Sequence, residues 1–161
     1  MKSIGISVTP SEVFIAIGEF KSTRLQIINT ERIRVPFALP VSDRLRYLRT
    51  LLLDIIKLRH IELACVRIAG RNMPQTTVQR IEIEGTVQEL LSSSSIKHYF
   101  VGELSEIAAM ADILPDLNSY LVGRKDFVRI KDWPHKSRRE EKEALLAAYA
   151  VQYSYELSKI F

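Results

Sequence analysis

The chain opens with Ile4-Gly5-Ile6-Ser7-Val8-Thr9-Pro10-Ser11, which is followed directly by Val13-Phe14-Ile15-Ala16-Ile17-Gly18. Both apolar segments are rich in β-branched residues, and the Thr-Pro-Ser sequence between them is typical of a tight turn. This pattern predicts a strand, a short turn and an immediate antiparallel return strand. Ser7 is a polar residue at the end of an otherwise apolar first strand, and it bears on function as well as on fold.

The composition is that of one soluble globular domain. The chain has 161 residues, of which 47% are hydrophobic and 26% are charged, so we expect a single domain spanning residues 1–161. Because no apolar run approaches the length of a membrane span and no secretory signal is recognisable, we expect a cytoplasmic protein without a membrane partner. Cys65 is the single cysteine, which argues against disulfides and cysteine-based metal sites. A net charge of +4 permits an anionic partner without requiring one.

Hydrophobic periodicity predicts a mixed order of strands and helices. Strands are predicted at 3–9, 12–20, 24–35, 62–69 and 97–101. Helices are predicted from Ser42 or Asp43 to His60, from Thr76 or Thr77 to about Ser92, and over 137–159, with shorter helical segments between 103 and 121. Three leading strands joined by short turns form a meander, and the later crossovers place parallel strands beside the first. The fold class is therefore α/β, with a central mixed five-stranded sheet flanked by helices.

The second predicted helix contains a glycine in its interior. We expect its inward face to hold Val78, Ile81, Gly85, Leu90 and Leu91. A glycine inside a helix costs about 1 kcal/mol relative to alanine, so we expect another element to approach Gly85 closely.

Three segments carry a resemblance to a known superfamily. They are the opening run Ile4–Ser11, the run Arg80-Ile-Glu-Ile-Glu-Gly-Thr-Val-Gln-Glu-Leu-Leu91, and the run Glu140-Glu-Lys-Glu-Ala-Leu-Leu-Ala-Ala-Tyr-Ala150. Together they resemble the RNase H-like superfamily, in particular RuvC-like resolvases and small uncharacterised bacterial RNase H-like proteins. The resolvases carry Gly-Ile-Asp where this chain has Gly5-Ile6-Ser7. The resemblance extends over nearly the whole chain and implies an RNase H-like fold.

The resemblance also implies where catalytic acids belong. The nucleases of this superfamily use carboxylates from the first strand, the end of the fourth strand and the last helix to hold two metal ions about 3.5–4 Å apart. In this chain the first position is Ser7, and the second falls at Ala69 or Gly70, where there is no acid. The third falls near Glu143, with Glu140 one turn earlier. The resemblance therefore implies a degenerate nuclease site.

Relocated acids are the alternative to a lost site. Glu12 and Glu19 are simply explained as solvated charges. Glu84 matches a glutamate of the similar small proteins, and the alternative is a helix surface charge or a partner for a nearby arginine. A divalent-metal-dependent nuclease or resolvase would then use Glu84, Glu140 and Glu143 with Mg²⁺ or Mn²⁺. Without such a site, no metal or other cofactor is expected.

Basic residues are predicted to gather near the same end of the fold. The candidates for nucleic-acid binding are Arg67, Arg71, Arg80, Lys136, Arg138 and Arg139. In RNase H-like folds the exit of the fourth strand and the start of the last helix border the cleft, where these cations would contact phosphates. The alternative is a solvated basic surface in which Arg138 and Arg139 pair with Glu141 to Glu143.

These observations leave several functions open. The first hypothesis is a non-catalytic binding module for nucleic acid, either DNA or RNA, or for a protein partner. The second is the nuclease with relocated carboxylates, and the third is a structural subunit of a larger assembly or a homodimer. His60, His98 and His135 are scattered and form no metal-ligand spacing, and no phosphate-binding glycine loop occurs.

Overall fold

A mixed sheet of six strands lies at the centre of the protein, as described by a computed structural model for residues 1–70 and 77–161. The strands are β1 (Lys2–Val8), β2 (Glu12–Lys21), β3 (Arg24–Arg34), β4 (Leu63–Arg67), β5 (His98–Gly102) and β6 (Ile130–Lys131). The helices are α1 (Val41–Leu58), α2 (Val78–Ser93), α3 (Leu104–Met110), α4 (Leu117–Leu121) and α5 (Arg139–Ser158), and a 3₁₀ turn spans Leu114–Asp116. None of these helices is long and apolar enough to cross a membrane.

The strand order β5-β4-β1-β2-β3-β6 confirms the predicted topology. β1, β2 and β3 form the antiparallel meander, and β4 and β5 continue the sheet parallel to β1. The predicted number of five strands is wrong, because β6 pairs in parallel with β3 through Leu25 and Ile130. A strand of two residues has no periodicity for a sequence to show. It is held instead by burial of Ile130 and by the Leu25 N–H, which donates to the Arg129 carbonyl at 2.9 Å.

The two faces of the sheet carry different helices. α1 and α2 cover one face, where Ile4 and Ile6 of β1 join a buried aliphatic cluster with Leu48 and Val87. α5 covers the opposite face, and its buried residues form a second cluster with Cys65 of β4 and other side chains. Because side chains alternate along a strand, the residues of β1 that alternate with these isoleucines must face α5. Those residues are Ser3, Gly5 and Ser7.

α5 packs directly on the backbone of β1. A Cβ atom at Gly5 would lie 1.8 Å from the Ala144 carbonyl oxygen and 2.5 Å from the Ala148 nitrogen, so no side chain fits there. Ser3 strengthens the contact, because its Oγ donates a hydrogen bond to the Ala148 carbonyl at 2.7 Å. Small residues on β1 therefore set how close α5 comes and where it lies along the strand.

The predicted helices are present, but the start of α1 differs from the prediction. α1 begins at Val41 with Pro40 as its N-cap, so neither Ser42 nor Asp43 caps it as expected. Proline is favourable near a helix start because its missing N–H would have no partner there. α2 is capped as predicted by Thr77, whose side chain accepts from the Arg80 N–H at 3.3 Å.

The predicted inward face of α2 is wrong in its first half. Leu90 and Leu91 are buried as expected, but Val78 and Ile81 are 67% and 56% exposed. The buried face continues instead through Val87, Glu84 and Ile83. A carboxylate inside this face conceals its periodicity, because hydrophobic patterns place Glu84 on the solvent side.

Gly85 also differs from the expectation. Apart from the adjacent residues and the nearby backbone of α2 itself, no described atom lies within 4 Å of a Cβ placed at Gly85, so no other described element approaches it closely. The position faces outward from α2. Its helix-weakening effect is therefore not compensated by packing that the structure describes.

Substituting Gly5 by alanine is expected to destabilise the protein. The added methyl group would push α5 away from β1, and overpacking of this kind costs about 1–3 kcal/mol or more. Urea unfolding followed by circular dichroism measures the change. A Gly5→Ala variant as stable as the native chain would contradict the packing described for α5.

Substituting Gly85 by alanine is expected to have the opposite effect. The new methyl group meets open space, so the variant gains helix propensity worth about 1 kcal/mol. The same urea measurement applies, and a loss of stability would show that Gly85 is needed for a close contact after all.

Candidate site at the carboxyl ends of β1 and β4

Three elements bring polar side chains together at one end of the sheet. Ser7 of β1 and Arg67 of β4 are direct neighbours in the parallel pairing of these strands. Glu143 of α5 meets both of them, because its Oε2 accepts a hydrogen bond from the Ser7 Oγ at 3.0 Å and lies 3.6 Å from the Arg67 Nε. Ser7 and Glu143 occupy the positions that the resemblance implies for the first and third acids.

Glu143 has a second cationic partner. Its Oε1 accepts a hydrogen bond from the Nε of Arg139, one helical turn earlier, at 3.2 Å. The Glu143 side chain is only 6% exposed, so the carboxylate depends on these partners rather than on water. One buried carboxylate therefore contacts two guanidinium groups and accepts a hydrogen bond from a hydroxyl.

Arg67 is enclosed without being fully satisfied. Its side chain is 14% exposed, and its buried Nε has no hydrogen-bond partner among the described residues. Burial lowers the pKa of Arg67, Glu143 opposes that shift, and the positive charges of Arg80 and Arg139 add to it. Because an arginine starts from a very high pKa, it stays charged at neutral pH.

Glu84 forms the second acidic position of the cluster, on the α2 side. Its Oε1 accepts from the Ala69 backbone N–H at 2.8 Å and from the Arg80 Nε at 3.0 Å. Glu84 is buried, so it is not a helix surface charge, but it does have a nearby arginine as its partner. Ala69 is buried, Gly70 is partly buried, and Arg71 lies outside the described residues. Glu84 thus ties the chain after β4 to the start of α2.

The remaining basic candidates lie at the start of α5. Arg138 pairs with Glu12 at 3.3 Å and with Glu140 at 3.7 Å, and its guanidinium lies over the Phe14 ring. Lys136 is exposed, and Arg139 is 51% exposed despite its bond to Glu143. Arg67 and Arg80, by contrast, turn inward to the two buried acids. The predicted basic set is thus divided into an inner pair and an outer group.

The donor set at this end of the sheet does not fit a two-metal centre. Such a centre needs several carboxylate oxygens, whereas β1, β4 and α5 supply a hydroxyl, a guanidinium and the Glu143 carboxylate. A guanidinium also repels a divalent cation. Within residues 1–70 and 77–161, no group of three or more His, Cys, Asp or Glu side chains is placed to hold a metal ion.

Solved structures identify the fold. Thermus thermophilus RuvC has a TM-score of 0.73 and 14% identity, with coverage of 98% of this chain and 97% of that chain. T. thermophilus RuvC in complex with a Holliday junction substrate has a TM-score of 0.69 and 12% identity, with 98% and 96% coverage. The yeast mitochondrial Holliday junction resolvase Ydc2 has a TM-score of 0.61 and 8% identity, with 98% and 80% coverage.

The fold is RuvC-like, within the RNase H-like class. The similarity extends over nearly the whole chain, which confirms the predicted fold class. No protein-family model matches the sequence. No curated protein matches it either. At identities this low, the structural similarity establishes the fold. The chemistry of the site has to be inferred from the residues of this chain.

Two features of the site were not anticipated from sequence. The sequence predicts Arg67 in a phosphate-binding surface and does not reveal its contact with Glu143, which depends on the register that places Arg67 beside Ser7. Glu84 stands out through its match to the similar small proteins, but the sequence does not reveal that it is buried. Its pairing with Arg80 can be anticipated, because a Glu four residues after an Arg can form a helical ion pair.

Substituting Glu143 by glutamine tests how strongly the cluster depends on this acid. The variant leaves Arg67 buried without its counter-charge, which is expected to cost about 3 kcal/mol of unfolding free energy. Glu140→Gln is the matched control, because it removes a partly exposed pair with Arg138 and should cost less than about 1 kcal/mol. Equal effects of the two substitutions in urea unfolding would contradict the role assigned to Glu143.

Proposed function

We propose that this protein is a non-catalytic RNase H-like module that binds nucleic acid where β1, β4 and the start of α5 meet. The observation that carries the proposal is the position of Arg67 beside Ser7 and Glu143. A guanidinium supplies positive charge to a phosphate group, but it does not activate water as a pair of bound metal ions does. Binding without hydrolysis is the chemistry that these residues support.

The charge balance of the site supports an anionic partner. Arg67, Arg80 and Arg139 face two buried acids, Glu84 and Glu143, so the cluster keeps an excess of positive charge. Outside the cluster, Lys136 adds an exposed cation before α5, whereas the exposed Arg138 is paired with Glu12 and Glu140. The protein as a whole carries a formal charge of +4. Such a surface favours the phosphate backbone through release of counterions.

The similar solved structures favour DNA as the first ligand to test. One of them is T. thermophilus RuvC in complex with a Holliday junction substrate, and it covers 98% of this chain. That likeness establishes the fold alone, so DNA binding by this chain is a proposal. A four-way DNA junction is its leading candidate. RNA and a protein partner for the same surface are the competing ligands in the experiment.

A metal-dependent nuclease is the second candidate. The resolvase fold and the two buried acids, Glu84 and Glu143, are the observations that favour it. It would need Mg²⁺ or Mn²⁺ and a rearrangement that releases both acids from Arg80, Arg67 and Arg139. Glu140 would have to leave Arg138 as well. The described contacts therefore favour the non-catalytic proposal.

Fluorescence anisotropy with a four-way junction, duplex DNA, single-stranded DNA and RNA tests the proposal. We expect binding that weakens between 50 and 200 mM salt, with the logarithm of affinity falling by about 0.9 for each phosphate neutralised on duplex DNA. Gel analysis of the same mixtures with Mg²⁺ or Mn²⁺ should show intact strands.

Two results would overturn this proposal. Absence of binding to any of the four ligands at 50 mM salt would remove nucleic acid as the partner and favour a protein surface. Metal-dependent cleavage that disappears in both Glu84→Gln and Glu143→Gln would establish the nuclease instead, provided that Glu106→Gln, a control in α3, still cleaves.

A further inference from the structure

We propose that Arg67 and Arg139 together form a seat for one phosphate group at the carboxyl end of β4. The ligand chemistry is a tetrahedral oxyanion, which either a nucleic-acid backbone or free phosphate supplies. Binding of a nucleic-acid phosphate at this seat rests on the proposed function, whereas binding of inorganic phosphate does not.

The first argument is the unused hydrogen-bonding capacity of Arg67. Its Nε is buried and has no acceptor among the described residues, and the nearest carboxylate oxygen, Oε2 of Glu143, lies at 3.6 Å. That oxygen already accepts a hydrogen bond from Ser7 at 3.0 Å. A buried donor without an acceptor costs about 1–3 kcal/mol, so Arg67 would gain from turning its guanidinium toward an external acceptor.

The second argument is the excess of guanidinium over carboxylate. Glu143 is shared between Arg67 and Arg139, and Glu84 is engaged by Arg80. Burial is the main cause that lowers the pKa of Arg67, and the charges of Arg80 and Arg139 lower it further against the opposing charges of Glu143 and Glu84. A bound anion would offset the repulsion that Arg67 meets from these two arginines without displacing either acid.

The third argument is the orientation of Arg139. Its Nε is fixed by Glu143 at 3.2 Å, while half of the side chain is exposed. A guanidinium held through Nε keeps its two terminal nitrogens for a ligand, and their planar geometry suits phosphate oxygens. Arg139 would thus bind the ligand from the solvent side, and Arg67 would bind it from within.

NMR of the arginine Nε–H groups tests the seat directly in the full-length chain. Inorganic phosphate is titrated at constant ionic strength, with chloride as the reference anion. We expect saturable shifts at Arg67 and Arg139 and none at Arg46, which is 80% exposed on α1 across the sheet from α5. Absence of a phosphate-specific shift at Arg67 would overturn the inference.

Variants identify which arginines hold the anion. Arg139→Gln should weaken phosphate binding at least about tenfold, because it removes charge-assisted hydrogen bonds. Arg67→Lys keeps the positive charge for Glu143, and hence the fold, but removes the planar fork, so it should also weaken binding. Arg46→Gln is the matched control and should have no effect. Unchanged phosphate binding in both Arg139→Gln and Arg67→Lys would overturn the assignment.

The same variants in the DNA anisotropy assay separate the two sources of phosphate. If Arg139→Gln lowers DNA affinity and reduces the salt slope by about one, the seat holds a backbone phosphate. If phosphate shifts Arg67 but the variants leave DNA affinity unchanged, the seat takes free phosphate and its nucleic-acid form is wrong. If the chain binds no nucleic acid while phosphate still shifts Arg67, the proposed function fails and the seat stands. DNA binding without any shift at Arg67 rejects the seat alone.

Discussion

The close contact between α5 and β1 determines where every other group of the site lies. Gly5 leaves no room for a side chain against Ala144 and Ala148, so the helix backbone rests on the strand. The Ser3 hydrogen bond to Ala148 fixes one end of this contact. At the other end Glu143, which directly precedes Ala144 on α5, accepts a hydrogen bond from Ser7.

Because Glu143 is buried, its neighbours must stabilise its negative charge. A carboxylate enclosed by the sheet and α5 requires positive charge or hydrogen bonds, because water cannot solvate it there. Arg67 and Arg139 supply the charge, and Ser7 supplies a hydroxyl. Replacing a buried ion pair by apolar residues is often neutral or stabilising, so stability alone does not account for these charges. A ligand that uses the excess positive charge gives a reason for keeping it.

The sequence predicts the architecture better than it predicts the site. Alternating apolar residues and short turns are local signals, and they suffice for the meander, the parallel strands and α5. The strand β6 escapes prediction because two residues show no alternation, and its place depends on Leu25 far away in the chain. The buried face of α2 is predicted incorrectly because Glu84, a charged residue, lies on it. In each case a tertiary contact outweighs the local pattern.

The site shows the same division between local and tertiary information. Ser7 and Glu143 are placed by resemblance to known strands and helices, but the sign of the charge between them depends on strand register. A serine in place of an acid only removes a metal ligand. Arg67 beside it adds a positive charge, which under the proposed function attracts phosphate without a metal ion. Under the proposed function, binding would respond to salt concentration rather than to divalent metal, because guanidinium groups need no metal ion to attract phosphate.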